Sequence, residues 1–248
     1  MRTTMRQQLW IAVILLVGYW LASTLIPVPG HGMGALLLSE PGSSLAAWVD
    51  RTVIGPNHMW IGGGGIWDPE GILSTIPAIA TVVLGTIAGR WIAAPTPLLE
   101  RLSTLFAAGA LGMMVGLMWA WSFPIGKNLW TSSYVLFTAG MACVGIATCA
   151  WLIDVKGWRG WTKPLIPFGI NPIVAFVASG FLSRFIYTLV RVPHNGTLVS
   201  VQSAIYDTIF APWFTDPRDA SLLFALVYLA VFYAILRLMH KRGIIVKV

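Results

Sequence analysis

The chain has 248 residues, of which 57% are hydrophobic and 10% charged, with 13 Trp and a mean hydropathy of +0.77. A water-soluble domain carries about 25% charged residues, so this chain has too few charges to coat a globule and too much apolar surface to hide inside one. That excludes a soluble enzyme, a disordered tail and a disulfide scaffold, and places the chain in a bilayer. The net charge of +7 gives no reason to invoke nucleic acid, because basic residues also serve as topology signals at membrane edges. Cys143 and Cys149 share one apolar run and read as reduced packing residues.

A spanning helix needs roughly 20 apolar residues, since the hydrocarbon core is about 30 Å thick and a helix rises about 1.5 Å per residue. Runs free of charge predict six spans, near residues 8–26, 71–92, 102–123, 132–153, 165–188 and 220–238. The expected fold is all-α: a polytopic integral membrane helix bundle, with short helices in the outer loops and residues 1–248 forming a single transmembrane domain. Six crossings bring both termini to one side. That side collects Arg2, Arg6, Arg90, Arg101, Lys156, Arg159, Lys163, Arg237, Lys241, Arg242 and Lys247, whereas Arg51, Lys127, Arg184, Arg191 and Arg218 fall on the other. Short loops rich in Lys and Arg stay cytoplasmic, so both termini are expected in the cytoplasm, with a bacterial inner membrane as the setting. Residues 9–26 are too long for a signal-peptide core, and no small-residue cleavage site follows.

The polar chemistry concentrates on the outer side. The first outer segment, about residues 27–70, includes a short interfacial helix from Leu45 to Val53 and a glycine run, Gly62 to Gly65, and ends in Trp67-Asp-Pro-Glu-Gly71. In that last block Asp68 suits a helix N-cap, Pro69 the first helical position and Glu70 the positive helix end. Asp68 and Glu70 are also the candidate catalytic groups, because desolvation at a membrane boundary raises a carboxyl pKa and makes it a usable base or an anchor for an amine. The second outer segment, about residues 189–219, holds His194 and an apolar stretch, Val199 to Phe210, too short to cross and so re-entrant or interfacial. Asn195-Gly-Thr197 matches a glycosylation sequon.

Three further residues are candidates for substrate or cofactor binding. Lys127 and Asn128 sit in the outer turn Pro124 to Thr131, where a lysine is not needed for insertion; they either snorkel at the interface or face phosphate, carboxylate or carbonyl oxygen. Asn171 precedes Pro172 inside the fifth span, where proline frees a backbone acceptor; the asparagine either satisfies the kink or presents its amide to a buried cavity. No His pair has metal-ligand spacing, no phosphate loop or Gly-x-Ser-x-Gly motif is present, and no metal is expected. Gly85 with Gly89, and Gly109 with Gly112 and Gly116, are spaced for close helix approach, which fits a packed bundle or a homodimer seam.

Several blocks taken together resemble one family. Trp67-Asp-Pro-Glu-Gly-Ile-Leu-Ser-Thr-Ile-Pro-Ala-Ile79, Leu84-Gly-x-x-Ala-Gly89, Lys127-Asn-Leu-Trp-Thr-Ser-Ser-Tyr134, Asp154-Val-Lys-Gly157 and Gly169-Ile-Asn-Pro172 are similar, in that order, to the C-terminal portion of the heparan-alpha-glucosaminide N-acetyltransferase family and its bacterial relatives. The resemblance implies transmembrane acetylation, with acetyl-CoA as donor on the cytoplasmic side and an amino-sugar or glycan amine as acceptor across the membrane. Two features depart from the pattern. The family has asparagine where Gly126 stands, and its upstream spans, with a Leu-Asp-x-x-Arg-Gly-like opening and the histidine assigned to acetyl transfer, have no counterpart here; none of His31, His58, His194 or His240 takes that role. The expectation is therefore an acetyltransferase portion that is truncated or works with a separate N-terminal partner. The alternatives are a permease for a small polar solute, lined by the broken fifth helix, and a noncatalytic membrane subunit.

Overall fold

The structure is a computed structural model and describes residues 3–34, 38–194 and 196–246. Arg2, the sequon residue Asn195 and Lys247 lie outside the described residues. Among the described residues, six helices are long and apolar enough to cross a membrane, and the chain is an integral membrane protein. Their outward faces carry large apolar side chains in the open, such as Phe176 at 81% exposure, and Trp121 just past the end of one of them is 89% exposed. An apolar surface of that extent needs lipid, not water, as its solvent. The chain divides into two compact units, Met1–Gly157 and Trp158–Val248.

The first unit is a bundle of four long helices with a capped outer loop. Helix α1 (Met5–Leu25) opens with a capping box, in which Gln7 N–H donates to Thr4 Oγ1 at 3.2 Å and Thr4 N–H donates to Gln7 Oε1 at 2.8 Å. A two-residue hairpin follows, β1 (Pro27–Val28) against β2 (Gly32–Met33). Next comes α2 (Leu45–Val53), the interfacial helix expected from the sequence, whose N-cap Ser44 accepts from Ala47 N–H. Helices α3 (Thr75–Ile92), α4 (Leu98–Trp119) and α5 (Ser132–Ala150) complete the unit, and α5 continues as a π turn over Trp151–Val155.

Two small cores hold these helices together: Ala12, Leu16, Ala80 and Val135 join α1, α3 and α5, while Leu102, Leu105 and Ala147 join α4 to α5. The glycines divide into two groups. A Cβ on Gly109 would come within 2.8 Å of Gly140 O, and one on Gly116 within 2.7 Å of Phe137 N, so these positions form the α4–α5 seam inside the unit. Gly85 and Gly89 face open space, with nothing within 4 Å of a Cβ placed there.

In the second unit the expected fifth span is not continuous. It breaks at Asn171 (φ −123°, ψ 55°) into α6 (Ile166–Ile170) and α7 (Pro172–Arg184), the latter extended by a π turn, Phe185–Leu189. Pro172 occupies the first position of α7, where no N–H donor is required, so the proline starts the spanning helix instead of kinking its middle. The second outer segment is more structured than its hydropathy indicates. Strands β3 (Arg191–His194) and β4 (Thr197–Ser200) pair antiparallel, with Arg191 opposite Ser200 and His194 opposite Thr197. Then α8 (Val201–Ile205) and a π turn (Tyr206–Phe210) precede α9 (Pro217–Lys241), capped by Asp216.

The two glycine groups predict opposite responses to the same substitution. Gly140→Ala, whose Cβ would lie 2.5 Å from Gly109 O, should destabilise the unit by about 1–3 kcal/mol through overpacking. Gly85→Ala should stabilise α3 by about 0.5–1 kcal/mol through helix propensity alone. Thermal unfolding in detergent reads both.

Candidate functional site

One end of the first unit, the one expected to face outward, is built by the loop between α1 and α3 and by the turn between α4 and α5. Its first component is the Trp67–Gly71 block. Asp68 does not cap α3, which begins at Thr75 after Ser74; the N-cap expectation is corrected. Instead, Asp68 Oδ1 accepts from Glu70 N–H at 2.9 Å in a tight local turn, and Oδ2 accepts from Trp60 N–H at 2.9 Å. A short acid that can fold back on its own backbone two residues ahead is drawn to turns as readily as to caps. Asp68 thus clips the glycine run closed, bringing Trp60 and Trp67 edge to face at 5.8 Å. Glu70 is exposed at the tip of the same block.

Beneath this block lies a residue absent from the sequence-derived candidates. Asp50 on α2 has 0% exposure. Its Oδ1 accepts from Ile72 N–H at 2.8 Å, and its Oδ2 is buried without a hydrogen-bond partner among the described residues. Gly71 makes the approach possible, since a Cβ there would fall on the carboxylate. Burial pushes the Asp50 carboxyl up from the ordinary carboxylate range; the Ile72 hydrogen bond pulls it back, the Asp68 charge raises it further, and Arg51 lowers it, with the net direction upward. The Arg51 guanidinium is engaged elsewhere, its Nη1 donating to Gly42 O at 2.7 Å and Ile66 O at 2.5 Å. A helical signal for Asp50 does exist in the sequence: three and four residues after Ala47 and Ala46, it falls on the apolar face of an amphipathic helix, and both alanines are buried with it.

The second component is the Lys127 turn, which a chain of buried hydroxyls ties to the bundle. Tyr19 on α1 donates to Leu129 O at 2.6 Å, and Ser132 donates to Leu16 O at 2.7 Å. Ser133 donates to Phe123 O, Thr131 Oγ1 accepts from Gly126 N–H at 3.0 Å, and Trp130 Nε1–H donates to Thr81 Oγ1 at 3.1 Å. Trp130 itself is held at φ 50°, a left-handed conformation that costs a bulky residue of order 1–2 kcal/mol and persists only where its surroundings enforce it. The anchoring leaves Lys127 and Asn128 exposed at the tip. A Cβ at Gly126 would meet only ordinary contacts, the nearest being Thr131 Cγ2 at 3.6 Å.

Asn171 belongs to the second unit and is used by the chain itself. It has 0% exposure, its Nδ2 donates to Ile244 O at 3.0 Å, and its Oδ1 accepts from Val246 N–H at 2.9 Å. Both halves of the amide therefore pin the tail that follows α9. His31 and His58 are exposed in the loop of the first unit, and His240 is exposed on α9. Among the described residues no group of His, Cys, Asp or Glu is arranged to hold a metal.

Two recesses open in the first unit. One, of about 700 Å³, runs between α3, α4 and α5 and is lined mainly by apolar and small residues, including Gly85, Ala88, Ala139 and Cys143, with Trp130 and Tyr134 toward the outer turn. The other, of about 430 Å³, lies at the opposite end and includes Arg101 and Asp154. Arg101 Nη1 donates to Ile92 O at 2.6 Å, while its Nε is buried with no acceptor among the described residues. A phosphate-bearing acyl donor fits a guanidinium with a free donor; Asp154 in the same lining opposes a second phosphate there.

No protein-family model matches the chain. The heparan-alpha-glucosaminide N-acetyltransferase of Mus musculus is 30% identical over 202 residues, covering 71% of this chain and 30% of its own length. The Homo sapiens protein of the same name is 29% identical over 194 residues, covering 68% of this chain and 29% of its own length. The chain is a distant relative of this family. It spans about 30% of the length of these relatives. Of the blocks on which the sequence resemblance to the heparan-alpha-glucosaminide N-acetyltransferases rests, Trp67–Gly71 and Lys127–Tyr134 build the outer end of the first unit, and Gly169–Pro172 forms the helix break in the second.

The buried carboxyl of Asp50 makes stability depend on pH in a definite direction. A carboxyl whose pKa rises on folding holds more protons in the folded chain than in the unfolded one. Its contribution is therefore complete below its ordinary value of 3.8 and is lost as pH rises through the raised value. Asp50→Asn keeps an acceptor for Ile72 N–H and is neutral at every pH. Its melting temperature relative to wild type should climb as pH rises above about 4; a gap that stays flat would show that burial of this charge carries no cost.

Proposed function

We propose that this chain is part of a membrane-bound, acetyl-CoA-dependent N-acetyltransferase of amino sugars, with an amino-sugar or glycan amine as acceptor at the end of the first unit that carries Asp50, Asp68, Glu70 and Lys127. The observation that carries this reading is the similarity to two heparan-alpha-glucosaminide N-acetyltransferases over about 70% of the chain. Acyl transfer to an amine requires an acceptor for the ammonium proton, donors for the developing oxyanion, and exclusion of water from the thioester. The outer end holds the carboxylates for the first requirement and the exposed Lys127 and Asn128 for the second. At the opposite end Arg101 would hold a phosphate of the donor, which supplies the activated acetyl group when bound. We place this opposite end, with both termini, in the cytoplasm of a bacterial inner membrane. The transport alternative draws on the broken fifth helix, whose amide is engaged by the chain's own tail, and gains no support from it.

Labelled acetyl-CoA and glucosamine in membrane vesicles containing the chain test the reading. Binding of acetyl-CoA with formation of N-acetylglucosamine is the expected result. Glucosamine flux with neither binding nor acetylation would replace it with transport. In the same assay Lys127→Ala, at the exposed tip of an anchored turn, should insert normally and lower acetyl transfer by about tenfold or more, the usual effect of removing one oxyanion donor being at least that large.

A further inference from the structure

Among the buried polar atoms of the first unit, Asp50 Oδ2 stands apart. It belongs to an ionisable side chain with 0% exposure, and among the described residues no hydrogen bond reaches it, whereas Arg101, whose Nε is also without an acceptor, is only partly buried. An unpaired buried carboxylate is one of the costliest arrangements a fold can keep. The ionisable groups within electrostatic reach of it are Asp68, Arg51 and Tyr19. None supplies a counter-ion: Asp68 repels, Tyr19 donates its hydroxyl to Leu129 O, and Arg51 turns its guanidinium to Gly42 O and Ile66 O. When Asp50 is ionised, a positive charge at Oδ2 would have to come from outside these groups.

The cover over this seat is narrow. Gly71 lies directly on the carboxylate, and the segment above α2 is fastened through Ile72 N–H to Asp50 Oδ1 and through Asp68 to Trp60 and Glu70 backbone amides. Behind it stands the glycine run, with Gly64 at φ 64° and Gly65 at φ 69°. The exposed Trp60, edge to face with Trp67, offers an aromatic surface beside the acids, against which the C–H face of a sugar ring packs.

We propose that Asp50 is the ammonium-binding group of the acceptor site: Oδ2 takes the protonated amine of an amino sugar when the Trp67–Gly71 segment lifts from α2. This rests on the amino-sugar reading given above and assigns the residue that selects an amine. An ammonium carries three N–H donors and the missing charge, so it completes Oδ2 where a neutral amide does not.

The test is binding to the full chain in lipid nanodiscs, measured calorimetrically with glucosamine and with N-acetylglucosamine. Wild type should prefer glucosamine by about tenfold or more, the range expected of a charge-assisted hydrogen bond, and a folded Asp50→Asn should lose that preference. Gly71→Ala leaves the carboxylate in place but drives a Cβ onto it, and should lose the preference too; this variant answers the question if Asp50→Asn does not fold. Equal affinity for the two sugars, no binding of glucosamine, or a preference that survives in Asp50→Asn would overturn the proposal and leave a water as the partner of Oδ2. Acetyl transfer measured on the same samples separates the two readings. An Asp50-dependent preference without transfer keeps this site and removes the acetyltransferase; transfer with a preference indifferent to Asp50 does the reverse.

Discussion

Polar groups withdrawn from water must find partners inside the protein, and in a chain surrounded by lipid that requirement is met only within helices or at their ends. At the end of the first unit that carries Asp50 and Lys127 it fixes the whole arrangement. The hydroxyls of Tyr19, Ser132 and Ser133 take up the carbonyls of Leu129, Leu16 and Phe123, so the turn between α4 and α5 is locked onto α1. Asp50 takes up the amide of Ile72, so the start of α3 is locked onto α2. The bonds of Tyr19, Ser132 and Asp50 each close a long stretch of chain, and together they bring two sequence blocks separated by more than a helix pair to one end of one bundle.

The same pairing accounts for what is left unpaired. Lys127 and Asn128 project because the residues after them are anchored, and Trp130 tolerates its left-handed backbone because its indole is tied to Thr81. Asp50 Oδ2 and Trp20 Nε1 are left without partners among the described residues at this end, and an unsatisfied buried polar atom calls for an explanation. Asn171 shows the opposite case. Its amide donates once to and accepts once from the tail at Ile244 and Val246, which binds the end of α9 to the start of α7.

Much of this was legible in the residues. Charge-free runs locate the six spanning helices because the length of apolar sequence is dictated by bilayer thickness, and the amphipathic period of Leu45 to Val53 locates α2. Local chemistry that has two outcomes was harder to read. Asp68 is equally suited to a cap or to a turn, and only the distant Trp60 amide decides between them. Pro172 is compatible with a kinked helix or with a helix start, and the tail seated on Asn171 selects the second. The spacing of Gly85 and Gly89 matches that of the α4–α5 seam, yet they face a cleft, because small residues permit close approach without supplying a partner. Asp50 was visible as an acid on an apolar helix face, but its burial depends on Gly71, twenty-one residues further along the chain.

In the proposed topology the end bearing Asp50, Glu70 and Lys127 faces one side of the membrane and the N-terminal end of α1, where Arg90 donates to Thr3 O, faces the other. Single cysteines placed at Lys127, Glu70 and Thr3, in a chain with Cys143 and Cys149 replaced, test it with a membrane-impermeant maleimide on sealed right-side-out vesicles. The account predicts that positions 127 and 70 label at once and that position 3 labels only after the membrane is permeabilised. Labelling of all three from one side would contradict it.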